Sequence, residues 1–366
     1  MRVLITGGAG FIGSHIVDAL VKKEYNVTVL DNLVSTGNKL PEYFNKKASF
    51  INGDIRNKTL LDKIIPNFDV IFHKASSVGI AQSNYEIKRF VDNNSLGTAN
   101  LLQAIIDSKK RPKLIFSASN TTYGEGIYLC EEHGKFHPKI RTKKQIDDSG
   151  FEFTCPVCKK YVKPNPTPEK TELHCNSVYA LTKKNQEELI LLLGKLYDFP
   201  VVNLKYFNVF GPRQSLSNPY TGVSAIFSGR IKNNQPVIIY EDGLQSRDFV
   251  YIDDVVNANM LAMESSAADY QVFNVGSGIP ITIKEVAEKI YQIYDKKFNI
   301  KINNEFRKGD IRHCIADTTK IKKFLGWKPK VSFKQGIKNL FEWSKDQESE
   351  TDIEKADLEL REKGLL

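Results

Sequence analysis

Residues 2–31, RVLITGGAGFIGSHIVDALVKKEYNVTVLD, decide the fold. The run opens with an apolar strand, turns at a cluster of glycines, continues as an amphipathic helix and ends in a second strand, NVTVLD. Each glycine has its own physical reason. Gly7 permits the tight turn, Gly10 lets the backbone approach a pyrophosphate, and Gly13 lets the helix pack closely on the strand, so a diphosphate can sit over the helix N-terminus. Asp31 follows Gly13 by eighteen residues, where a carboxylate accepts hydrogen bonds from the ribose hydroxyls of an adenosine and repels a 2′-phosphate. The stretch therefore predicts a dinucleotide-binding unit that prefers NAD to NADP.

Outward from this unit the pattern repeats. ASFINGDI, FDVIFHKAS and PKLIFSAS are short apolar strands separated by helical segments such as SLGTANLLQAIIDSKK. Alternation of this kind implies an α/β fold with a doubly wound parallel sheet, whose ligands sit at the carboxyl ends of the strands. Asp54, Ile55, the run His73, Lys74, Ala75 and Ser76, and Asn93 fall at or just after those ends and outline a cofactor trough.

A chain of 366 residues with 41% apolar content can bury a large core in one large or two medium domains. The opening MRVLIT carries no charged leader and no apolar run reaches membrane-spanning length, so the expectation is a cytoplasmic protein that meets no membrane. Five cysteines are too few, and odd in number, for a disulfide framework. The net charge of +9 comes from scattered lysines without a basic block, which argues against nucleic acid as a partner and leaves room for a few arginines at a diphosphate site.

SVYALTK places Tyr179 and Lys183 four apart, on one face of a long helix. FSASNTTYG ends a buried strand with hydroxyls that would line the same cleft. A nearby ammonium and an oxidised nicotinamide both favour the phenolate, so Tyr179 could take a proton from a sugar hydroxyl.

TGGAGFIGSH, SVYALTK, KYFNVFGPRQ and RDFVYIDDVV resemble the extended short-chain dehydrogenase/reductase family, whose members act on nucleotide sugars; the likeness covers nearly the whole chain. It implies a Rossmann domain with a smaller discontinuous substrate domain. It also implies Tyr179 as catalytic base, Lys183 on the nicotinamide ribose, Ser119 on the reacting hydroxyl and Thr121 as second candidate. The implied cofactor contacts are Gly7, Gly10, Phe11, Ile12, Gly13, Asp31, Asn32, Gly37, Asn38, Asp54, Ile55, Lys74, Ala75, Ser76, Asn93, Ser117 and Tyr206, with Tyr179 and Lys183. On the substrate side stand Asn120, Asn208, Val223 and Tyr240 with Ser119, Thr121 and Tyr179, while Arg247 and either Arg312 or Arg307 clasp the diphosphate. The family's 4,6-dehydratases carry Asp and Glu where this chain has Asn120 and Thr121, which points away from dehydration and toward epimerisation at C4. A homodimer through a four-helix bundle is also implied, by way of the stripe Leu189, Leu192, Leu193 and Leu196.

Ser119 and Tyr179 stand sixty positions apart, where a handful would connect a strand to a helix. The excess contains Cys130-x-x-His133 and Cys155-x-x-Cys158, two knuckles that predict a structural zinc ribbon, because so small a segment could hardly hold a fold without metal. Gly134 and Pro156 suit the knuckle turns. His137, His174 and Cys175 are the substitute ligands, and unmetallated thiols are the alternative. Within the family, this insertion and the stretch PRQSLSNPYTGVSAIFSGRI most resemble dTDP-L-rhamnose 4-epimerases, which make dTDP-6-deoxy-L-talose. Other UDP-sugar 4-epimerases, a decarboxylase, a reductase and a silent NAD-binding regulator are the competing expectations.

These readings divide the chain into a Rossmann part (1–127, 164–208, 247–277), the insertion (128–163), a substrate domain (209–246, 278–345) and an exposed or frayed charged tail (346–366).

Overall fold

The computed structural model describes residues 1–349 and 353–366. Seven strands form one parallel sheet: β1 Arg2–Thr6, β2 Asn26–Asp31, β3 Ser49–Asn52, β4 Val70–His73, β5 Lys113–Ser119, β6 Val201–Tyr206 and β7 Gln271–Val275. Their spatial order is β3-β2-β1-β4-β5-β6-β7. The order reverses direction beside β1, between it and β4, which is where a doubly wound sheet opens its ligand crevice. In β1 the alternation is visible residue by residue: Val3 and Ile5 enter the core on one face and Leu4 the core on the other. Both faces are covered by helices, as a parallel sheet requires.

A smaller unit packs beside the carboxyl ends of these strands. Ser246–Tyr251 pairs in parallel with Asn208–Phe210, antiparallel with Pro280–Thr282 and in parallel with His313–Cys314. Residues 247–251, which the sequence reading assigns to the Rossmann part, instead belong with Ser246 to this smaller sheet. Only the following helix Ile252–Glu264 and β7 return to the large one. Helices Val223–Lys232, Ile283–Ile293 and Phe333–Ser344 close the second core around Phe210, Phe249 and Ile290. Thr282 starts the middle helix with a reciprocal capping box to Glu285.

The insertion is a three-stranded antiparallel sheet, with Ile127–Cys130 in the centre flanked by Gly134–Phe136 and Lys163–Asn165, plus the short helix Lys143–Ser149. Its own core is only Tyr128, Cys130, Phe153, Cys155 and Val162. The C-terminal segment departs from the expected exposed tail. Helix Ile353–Glu362 docks on the body, burying Ala356 and Leu360. Among the described residues no helix is long and apolar enough to cross a membrane.

Candidate active site

The glycine turn behaves as its spacing demands. Gly7 has φ +71°, and a Cβ there would stand 2.6 Å from the Ala75 nitrogen. At Gly13 an added Cβ would fall 2.2 Å from the Gly7 carbonyl oxygen, so only glycine allows the helix to sit this close. Gly10 is different: the nearest atom to its Cβ position is 3.5 Å away, leaving room for a ligand against bare backbone. Helix Phe11–Lys22 begins here with Phe11 and Ile12 in its first turn and no side-chain cap, so its first N–H groups stay free for an anion.

Asp31 ends β2 and accepts hydrogen bonds from the N–H of Ala9 (3.0 Å) and of Leu33 (2.8 Å). Burial nonetheless pushes its carboxyl above the usual range. Asn32 donates to Asp54 at 2.8 Å. Arg56 also grips Asp54, and this pair is the main cause of a pKa lowered to about 2. Gly37 and Asn38 take left-handed conformations in the loop after Asn32, while Ile55 is buried against Gly97.

At the other side of the crevice, Ala75 and Ser76 follow β4, and the Ser76 hydroxyl donates to Asn94 at 3.1 Å. Asn93 donates to the Ser77 hydroxyl at 2.7 Å. Asn94, which sequence reasoning missed, is the fully buried member of the pair. Its side-chain oxygen accepts from the Ser77 N–H (2.7 Å) and its amide donates to Thr182 (3.0 Å). The reason is local: Val91–Leu96 is a π-helical turn, so an ordinary helical period gives the wrong facing for neighbouring asparagines. Lys74 turns inward and donates to Asn259 (2.8 Å) and Tyr206 (3.2 Å), with burial holding its pKa well below normal.

Helix Val178–Leu196, capped by Ser177, carries Tyr179 and Lys183 on its buried face. Ser83 accepts the Tyr179 N–H at 2.9 Å and fixes the start of the helix. Burial pushes the Tyr179 phenol up to about 12, with the Ser119 side chain beside it working in the opposite direction. Burial also pulls Lys183 down to about 7. The ammonium donates to the Ser117 carbonyl at 3.0 Å and lies 4.8 Å from the Phe116 ring centroid. For both groups burial is the largest cause of the shift. Ser119 ends β5 and shares a 2.9 Å hydrogen bond with Thr121, and Asn120 is buried next to them.

On the facing side, Asn208 starts its strand directly after β6, and Val223 starts a helix after Gly222. Arg247 donates to the carbonyls of Ser246 (2.8 Å) and Arg312 (3.1 Å). Arg307 stacks 4.6 Å from the Tyr240 ring centroid and is held by Asp310 at 2.9 Å. Arg312 is not available for a ligand. Its side chain is fully buried and its guanidinium is saturated by Glu152, Glu241 and Asp242. Arg312 is thus a structural strut and not a diphosphate ligand, which leaves Arg307, held through Nε by Asp310, as the other arginine of FRKGDIRH.

The four knuckle residues converge. Ligand atoms of Cys130, His133, Cys155 and Cys158 all lie within 4.8 Å of one another. Cys130 Sγ is 3.6 Å from His133 Nδ1 and 3.7 Å from Cys158 Sγ, and Cys155 Sγ is 3.7 Å from His133 Nδ1. Tetrahedral zinc with ordinary Zn–S and Zn–N lengths places its ligand atoms about 3.5–3.8 Å apart, so the cluster fits such an ion. Gly134 has φ +77°, as the knuckle turn needs. The substitute ligands lie elsewhere: His137 stacks on His174 with centroids 4.3 Å apart and binds the Glu125 carbonyl, while Cys175 donates to the Thr122 carbonyl.

This geometry belongs to a recognisable class. Residues 3–141 match the NAD dependent epimerase/dehydratase family, and residues 161–340 match the GDP-mannose 4,6 dehydratase description. The chain is a member of the NAD-dependent epimerase/dehydratase family, within the extended short-chain dehydrogenases/reductases. It is similar to the UDP-glucose 4-epimerase of Thermotoga maritima, solved with UDP-glucose, with a TM-score of 0.78, 35% identity and coverage of 94% of this chain and 98% of that one. It is 31% identical to a dTDP-L-rhamnose 4-epimerase of Burkholderia thailandensis over 93% of this chain and 94% of that one. It is also 30% identical to a UDP-N-acetyl-alpha-D-glucosaminuronate decarboxylase of Bacillus cytotoxicus, over 95% of this chain and 99% of that one.

Proposed function

We propose that this chain is an NAD-dependent nucleotide-sugar 4-epimerase, an isomerase, and that its substrate is dTDP-L-rhamnose. The observation that carries the reaction class is the meeting of Ser119, Tyr179 and Lys183 at the carboxyl edge of the sheet, beside a bare-backbone cradle at Gly10. NAD would be held by the glycine turn, Asp31 and Lys183, and would supply reversible hydride transfer at the sugar carbon. Tyr179 removes the hydroxyl proton as the 4-keto sugar forms and gives it back at re-reduction. Ser119 holds the reacting oxygen through a hydrogen bond, with Thr121 steadying the Ser119 hydroxyl. Lys183 sits one helical turn from Tyr179 and, in its protonated form, presents positive charge to it. Arg247 and Arg307 clasp the diphosphate, work suited to the guanidinium fork.

Asn120 and Thr121 supply neither the acid nor the base that dehydration requires, so a cycle confined to one carbon remains. The similarity to dTDP-L-rhamnose 4-epimerase supports that sugar; the similarity to UDP-glucose 4-epimerase supports a UDP-hexose as the second reading. Incubation with dTDP-L-rhamnose, UDP-glucose and UDP-glucuronate, with products resolved by NMR, separates them. Inversion at C4 of the first is expected. Turnover of a UDP-sugar alone would replace the substrate, and release of CO2 or accumulation of NADH would replace the reaction.

The Cys130, His133, Cys155 and Cys158 cluster would hold a structural zinc, with the chemistry left to Tyr179 and NAD. A homodimer is part of the same proposal: Leu192 and Leu196 are exposed on the catalytic helix, and Ile87, Val91 and Leu96 are exposed on its neighbour. Leu189 and Leu193 turn toward the core instead.

A further inference from the structure

The insertion reaches the substrate side through a buried chain of ions. Arg141 makes two hydrogen bonds to Glu241, at 2.8 and 3.0 Å, with its side chain fully buried. The same guanidinium donates to the Asp310 carbonyl at 3.2 Å and lies 5.1 Å from the Phe306 ring centroid. Asp310 is the residue whose carboxylate holds Arg307. Glu152, also from the insertion, accepts from Arg312 Nε at 2.9 Å, and the Arg312 carbonyl braces Arg247. Although burial works against it, His313 and Arg312 keep Glu152 ionised, with a pKa of about 2.

Glu152 precedes Phe153, which packs 4.8 Å from Tyr128 in the tiny core that Cys130 and Cys155 complete. Whatever orders the four knuckle residues therefore fixes Glu152 in turn. We propose that the metal-binding insertion is a positioning element for substrate recognition: through Arg141 and Glu152 it holds the 306–313 segment so that Arg247 and Arg307 converge on the nucleoside diphosphate. This rests on the assignment of those two arginines to the diphosphate.

The test is calorimetric titration of the NAD-loaded full chain with dTDP and UDP, alongside NAD affinity and steady-state kinetics. Glu152→Gln keeps the size of a partly exposed side chain and removes its charge. It is expected to weaken dTDP or UDP binding by about three- to tenfold and raise KM similarly, with kcat and NAD affinity unchanged. Glu152→Asp should recover part of the loss. Removal of the knuckle metal by chelation should reproduce the Glu152→Gln pattern. An unchanged diphosphate affinity in Glu152→Gln, or a parallel loss of NAD and diphosphate affinity, overturns the proposal. Arg307→Ala distinguishes the two levels. If it weakens dTDP and UDP while Glu152→Gln does not, the positioning role fails alone; if neither changes binding, the arginine assignment fails.

Discussion

Tyr179 and Lys183 are held in a site that penalises both of their charged forms, with the phenol at about 12 and the ammonium at about 7. A positively charged ring beside the phenol would reverse the first penalty, which ties proton transfer to cofactor occupancy. Tyr179→Phe removes the proton acceptor and nothing else of size. Turnover should fall by roughly 10²–10⁴-fold with NAD titrations unchanged, and a wild-type rate would dismiss Tyr179 as base. Lys183 carries a stability prediction with a definite sign. Its folded pKa is below the free value of 10.5, so the unfolded chain binds more protons between the two values and stability rises with pH across that window. The penalty is complete below about pH 7 and gone near 10.5. Lys183→Met should therefore be inactive yet melt higher than wild type at pH 6, with the difference shrinking at pH 10. A difference that grows with pH would contradict the buried-ammonium account. Legibility at this scale was uneven. Tyr179, Lys183 and Ser119 are marked by local motifs, whereas Arg312 looks like any arginine of FRKGDIRH until its carboxylate partners from distant segments come into view.

At the scale of elements, the insertion and the C-terminal helix differ in what supports them. The insertion has too few apolar residues to fold by burial alone; of its four clustered Cys and His side chains Cys130 and Cys155 are buried in its core, Cys158 is half-buried and His133 is exposed. Metal analysis should return one zinc per chain. Cys158→Ser or chelation should expose residues 128–165 to limited proteolysis while the Rossmann part resists, and a metal-free protein with full protection would reject the ribbon. The terminal helix is held by its side chains. Glu359 accepts from Tyr85 at 3.2 Å and Tyr220 at 3.1 Å, Asp357 accepts from Tyr240 at 2.5 Å, and Arg361 grips Glu305 at 2.7 Å. Tyr220 also stands against Gly79, in the loop leading toward Ser83. Deleting residues 350–366 should raise KM for the nucleotide sugar more than it lowers kcat, because Tyr240, which Asp357 holds, lies under Arg307. A kcat effect without a KM effect would count against this. The tail reads as exposed in sequence because it is highly charged; its two anchors, Ala356 and Leu360, are too few to signal docking.

For the whole molecule, the proposed dimer rests on Leu192 and Leu196, exposed on the helix Val178–Leu196, and on Ile87, Val91 and Leu96, exposed on the elements that adjoin it. Leu192→Glu should convert a dimer to a monomer in sedimentation equilibrium with the NAD site intact, and a wild-type chain that sediments as a monomer would remove the bundle. The seven-stranded sheet was legible because strand, glycine turn and helix repeat at local spacing, and because Gly7 and Gly13 have no tolerable substitute. The convergence of Cys130, His133, Cys155 and Cys158 was legible for a related reason, since knuckle spacing is itself local. Local sequence alone specifies the parallel sheet and the glycine cradle and marks the Tyr179–Lys183 pair and the Cys130, His133, Cys155 and Cys158 cluster, all features whose constraint acts within a turn or a helix. Tertiary structure alone decided that Arg312 is a buried strut, that Asn94 rather than Asn93 faces inward, and that the insertion grips the segment bearing Arg307. Those outcomes depend on which charges from remote segments are desolvated together, and a pairing between positions such as Arg141 and Glu241 leaves no periodic trace along the chain.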